Sequence, residues 1–83
     1  MPTPTGLPRV GEVWELEVRV LSEVGPKQRV VVLERGRGDY WPLWVWHPTR
    51  GRLLWVDAPY HLSRGDLRYV GPAGPKTRKR LGL

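Results

Sequence analysis

The sequence predicts a small all-β domain of five short antiparallel strands, and three observations carry that prediction. Apolar and polar residues alternate with a period of two in short segments, glycine and proline separate those segments, and the single helical signal spans one turn. At 83 residues the chain makes one domain and buries only about 60% of its unfolded surface. With no cysteine, neither a disulfide framework nor a cysteine-based zinc ribbon can hold it, so core packing or association must.

Taken in order, residues 1–9 contain three prolines and read as an extended arm. Residues 13–21, VWELEVRVL, alternate cleanly: Trp14, Leu16, Val18 and Val20 face one way, and Glu15, Glu17 and Arg19 the other. This is a half-buried strand. Gly25-Pro26 turns the chain, and residues 29–34, RVVVLE, are β-branched and continuous, as expected of a central strand buried on both sides. A polar loop follows, Arg35-Gly36-Arg37-Gly38-Asp39.

Residues 40–56, YWPLWVWHPTRGRLLWV, form the hairpin around which the other elements assemble. Pro48 pre-sets the φ of a type I turn, and Gly51 can take the left-handed conformation that returns the chain. A two- or four-residue loop pairs Trp46 with Leu53, Val45 with Leu54, Trp44 with Trp55 and Leu43 with Val56. Opposed residues share a face. The expectation is therefore a core face of Leu43, Val45, Leu54 and Val56, and an aromatic surface of Trp44, Trp46, Leu53 and Trp55. Trp14 and Trp41 belong to the core. After Val56, Asp57-Ala58-Pro59-Tyr60 breaks the pairing, and Ser63 with Asp66 has the spacing of a capping box, which predicts one helical turn at residues 62–66. Residues 67–70 read as a short closing strand. Residues 73–83, which lack apolar periodicity, read as a mobile basic tail.

Five short strands with a helical turn before the last, the opening Gly11-Glu12-Val13-Trp14 and the ending at residues 62–71 together resemble an SH3-like small β-barrel. The resemblance implies an N-terminal arm at residues 1–9, a five-stranded barrel at 10–71 and a flexible basic tail at 72–83. Such barrels include nucleic-acid-binding modules, peptide-binding modules and parts of larger machines, so fold alone does not choose among them. Gly11-Glu12-Val13-Trp14 is also similar to the opening of messenger-RNA-cleaving toxins. The arginine-proline segment expected beside their second strand is missing here, and no active site carries over.

Formal net charge is +6 and unevenly placed: residues 1–34 carry net −1 and residues 35–83 net +7. Arginine outnumbers lysine by eleven to three, and Asn, Ile, Phe and Cys are absent, as in a GC-rich genome and a thermophile. No apolar run approaches the roughly 18 residues of a spanning helix, and the first residues lack a signal-like pattern. The expectation is a cytoplasmic protein that does not engage membranes.

These features predict a non-enzymatic accessory module that binds nucleic acid, DNA or RNA. Arg35, Arg37, Arg50 and Arg52 lie in two loops expected to meet at one end of the barrel, where guanidinium groups can hold phosphate oxygens. Lys76, Arg78, Lys79 and Arg80 add sequence-independent attraction to a polyanion. Trp44, Trp46 and Trp55 supply a flat platform for stacking bases. The competing reading covers that tryptophan face with the N-terminal arm or with a protein partner, a homo-oligomer included. His47, His61 and Asp57 form the one conceivable metal set; they lack ligand spacing, and His47 reads as a turn residue bonded to the backbone. Ser22 and Ser63 have turn and cap roles, no glycine-rich phosphate loop is present, and neither catalytic residues nor a cofactor is expected.

Overall fold

A computed structural model describes residues 7–16 and 28–83. The expectations for the first part of the arm, for Val18 and Val20 and for the Gly25-Pro26 turn fall outside the described residues. Five strands, β1 (Glu12–Leu16), β2 (Gln28–Arg35), β3 (Leu43–His47), β4 (Gly51–Trp55) and β5 (Leu67–Pro72), form one antiparallel sheet in the order β4-β3-β2-β1-β5. Two short helices, α1 (Ala58–Arg64) and α2 (Pro75–Leu81), flank β5 in sequence. As its β-branched run predicts, β2 lies at the centre with Val30, Val31 and Val32 all buried. The sheet is open, with β4 and β5 as edges that do not pair with each other.

One face of the sheet builds the core. Trp14 and Leu16 of β1, Val30 and Val32 of β2, and Leu43 and Val45 of β3 meet Trp55, Ala58 and Leu67 there, with Trp41 packed at the margin. The Glu12 carboxylate anchors the start of β1 by accepting the Arg9 backbone N–H at 2.8 Å and the Trp14 indole N–H at 3.0 Å.

The hairpin register differs by one residue from the sequence expectation. Leu43 opposes Trp55, Trp44 opposes Leu54, Val45 opposes Leu53, and His47 opposes Gly51. The loop is thus three residues, Pro48-Thr49-Arg50, followed by Gly51 at φ 78°, the pattern of a type I turn with a left-handed residue closing it. His47 enforces that count. Its buried imidazole accepts the Thr49 and Arg50 N–H groups at Nδ1, both at 3.1 Å, which leaves the ring proton on Nε2 to meet Gln28 Oε1 at 3.0 Å. The one-residue shift turns Leu53 and Trp55 into the core and leaves Leu54 and Val56 exposed. A bulge at Leu33 then separates the Val32–Val45 pair from the Glu34–Trp44 pair, and Leu33 is half-buried.

Helix α1 is longer and earlier than the capping-box spacing suggested. Pro59 sits in its first turn, where a missing N–H costs nothing, and Asp57 precedes it at φ 53°. Ser63 lies in the last turn, its hydroxyl donating to the Tyr60 carbonyl at 2.8 Å. Gly65, at φ 81°, ends the helix: its N–H reaches the Leu62 carbonyl and the Asp66 N–H reaches the His61 carbonyl.

The C-terminal segment, expected as a basic tail without regular structure, is helix α2. Pro75 opens it and Gly82, at φ 76°, closes it, with the Gly82 and Leu83 N–H groups on the Lys79 and Arg78 carbonyls. Three basic residues in the last turn suit the negative end of the helix dipole. Gly11 ties this segment to the sheet. It donates to the Val32 carbonyl at 2.9 Å, and its own carbonyl accepts the Ala73 N–H at 2.8 Å and Arg78 Nη1 at 3.4 Å. A Cβ at Gly11 would overlap the Arg78 guanidinium.

Because Gly51 must hold the left-handed conformation, Gly51→Val is expected to cost about 1–2 kcal/mol. The check is urea unfolding, where the midpoint falls while the slope with denaturant stays unchanged.

Candidate functional site

The face of the sheet opposite the core carries the candidate site. Period-two alternation places Val13, Val31, Trp46 and Arg52 in one row across β1, β2, β3 and β4. The next row holds Glu34, Trp44 and Leu54. Helix α2 lies over this face and leaves two grooves. One, of about 400 Å³, is lined by Leu33, Trp46, Arg52, Arg80 and Leu81. The other, of about 170 Å³, includes Val13, Arg29, Val31, Trp46, Thr77 and Arg80. Trp46 and Arg80 line both.

Charge on this face is partly compensated. The Arg52 guanidinium sits 4.5 Å from the Trp44 ring centroid and 3.7 Å from Glu34 Oε1, with both charged side chains largely exposed. Such a pair is worth little in water, so Arg52 stays available to an anion. Arg29, exposed, lies 4.0 Å from Oε2 of half-buried Glu15. Arg80 has neither hydrogen bond nor ion pair among the described residues. The Trp46 indole N–H is buried without a partner among the described residues.

The structure brings together Trp44, Trp46, Arg52 and Arg80 from the residues expected to form the site, and separates the rest. Arg35 ends β2 opposite Leu43, Arg37 belongs to the β2–β3 connection and Arg50 to the β3–β4 turn, so they lie at opposite ends of β3, about 13 Å apart along the strand. The arginine loops therefore do not meet at one end, because successive hairpin loops lie at opposite ends of the strand they share. Arg35 instead stacks over Trp41 at 5.4 Å. Trp55 is not part of an aromatic surface: it is buried, with the His61 ring edge-on at 4.9 Å. Lys76 and Lys79 are exposed on α2, whereas Arg78 is turned toward Gly11. Arg29, Leu33 and Leu81 were not anticipated. Arg29 was legible, since it alternates in phase with Val31, and Thr77 with Leu81 has the i, i+4 spacing of one helical face.

The histidines are structural. His47 orders the turn, while His61 Nδ1 meets Asp66 Oδ2 at 3.0 Å and reinforces the end of α1. Arg64 joins that cluster through the Tyr60 hydroxyl at 3.0 Å and Asp66 at 3.5 Å. The Tyr60 hydrogen bond, then the Asp66 charge, raise the Arg64 pKa above its already high ordinary value, so the group remains a cation. Among the described residues no three His, Cys, Asp or Glu side chains assemble to hold a metal ion, and no helix is long and apolar enough to cross a membrane.

The chain matches no protein-family model, no curated protein and no solved structure. The two tryptophan environments give a direct check. Trp55→Ala, in the core, is expected to lower stability by about 3–5 kcal/mol, and half-exposed Trp44→Ala by under about 1.5 kcal/mol, in paired urea titrations.

Proposed function

We propose that this protein is a non-enzymatic nucleic-acid-binding module whose contact surface is the outer face of the sheet together with α2. The carrying observation is the Arg80 guanidinium, unpaired among the described residues, set beside Trp46 and sharing a groove with Arg52. Arginine and lysine attract phosphate without regard to sequence, and Lys76 and Lys79 extend the cationic surface along α2. Trp44, already stacked on one side by Arg52, adds an aromatic plane of the kind that bases use. Arg35, Arg37 and Arg50 serve as outlying contacts at the two ends of β3. An SH3-like arrangement is supported by the return of β5 to β1 and by the short helix that precedes β5.

A protein partner is the second reading. It is favoured by Leu54 at 45% and Val56 at 65% exposure, next to the free edge of β4. An apolar edge of this kind suits strand addition by another chain, a second copy included.

A salt titration against fluorescent oligonucleotides separates the two. The logarithm of affinity is expected to fall linearly with the logarithm of salt concentration. Arg80→Ala should reduce the slope by about 0.7 on single strands or 0.9 on duplex, while the core substitution Trp55→Phe leaves it unchanged. Absence of salt-dependent binding to every oligonucleotide overturns the nucleic-acid reading. Light scattering at twice the monomer mass would then support the partner reading.

A further inference from the structure

We infer that the larger groove between α2 and the sheet takes one unstacked base of a single strand, with little preference for which base. This rests on the nucleic-acid reading above and specifies its substrate. The groove holds about 400 Å³ and combines the Trp46 ring with the aliphatic side chains of Leu33 and Leu81. A flat, mostly apolar slot of this kind suits the face of a base. Arg52 and Arg80 complete its lining, so the sugar-phosphate backbone on either side of an inserted base meets positive charge. Glu34 does not line the slot, although it lies 3.7 Å from Arg52.

Recession of Trp46 excludes the duplex. The ring is half-buried beneath α2, and its N–H is enclosed, so a base still paired and stacked on both sides cannot reach it. Only a base turned out of its strand can enter. No residue of α2 is fully buried, and Gly74 precedes its first turn, so the helix can yield to the thickness of a ring without disturbing the core. Among the described residues the lining has no Asn, Gln, Asp or Glu to read base edges, and with Arg52 and Arg80 engaged by the phosphates, stacking, common to all bases, is the dominant attraction.

The test compares four labelled ligands by fluorescence polarisation with the full chain: a base-bearing single strand, an abasic strand of equal length, and a duplex, together with a second single strand of different base composition. The base-bearing strand is expected to bind about 5- to 150-fold tighter than the abasic one, the ratio given by one base–aromatic stack. The two single strands should bind within a few-fold of each other, and both tighter per phosphate than the duplex. Leu81→Trp, which fills the groove from α2, should erase the advantage over the abasic strand while leaving the salt slope intact; Trp46→Leu is the companion variant, working from the sheet side. Equal affinity for abasic and base-bearing strands, with the salt slope preserved, overturns the groove inference alone. Duplex bound as tightly as the single strands does the same. Binding to none of the four overturns the inference and the nucleic-acid reading together.

Discussion

The hydrogen bonds from the Thr49 and Arg50 backbone to the His47 imidazole fix the length of one turn, and the rest of the structure follows from that length. A turn of three residues, closed by the left-handed Gly51, sets Val45 against Leu53 and Leu43 against Trp55. Because side chains alternate, this register decides which of the hairpin tryptophans is core and which is not. Trp55 goes inward to meet α1, while Trp44 and Trp46 go outward beside Arg52. The core and the candidate site are thus two outcomes of a single count, held by a histidine whose second nitrogen is committed to Gln28.

The outer face carries a tension that its own residues do not resolve. Arg29, Arg52 and Arg80 line the two grooves, and half-buried Glu15 and exposed Glu34 compensate the first two at 4.0 and 3.7 Å. Helix α2 adds lysines to the same side. It is held by a modest set of contacts: half-buried Thr77 and Leu81, and Arg78 folded onto Gly11. Like charges gathered under a helix with no fully buried side chain reduce local stability, and a bound anion would remove that cost.

Much of the sheet was legible in the sequence. The alternation around Trp14 and Leu16, the continuous run at Val30, Val31 and Val32, and the role of His47 all followed from period and chemistry. The hairpin register did not, for a specific reason: Leu53, Leu54, Trp55 and Val56 are all apolar, so either register satisfies the hydrophobic pattern, and Pro48-Thr49-Arg50-Gly51 accommodates loops of two, three or four residues. Proline misled at residue 59, which reads as a break in the pairing. Pro59 and Pro75 each open a helix from a position where the missing N–H is harmless, and Gly65 and Gly82 supply the matching stops. With Leu81 as its sole large apolar residue inside the helix, α2 offered almost no periodic signal. Its Pro-to-Gly bracket was the readable one.

The pairing of β5 with β1 gives the outer face a further property. Strands β2, β3 and β4 are consecutive neighbours and can associate through local turns, whereas β5 must return past all of them to reach β1, and α2 hangs from β5. Loop-closure entropy makes that return the least local step of folding. A three-stranded intermediate would own Trp46 and Arg52 but not Arg80, so an incompletely folded chain has no complete groove to offer. By linkage, a ligand that requires α2 in place also weights the ensemble toward chains whose β5 is docked. Occupancy on one face of the sheet would thereby protect an edge strand that the ligand never touches.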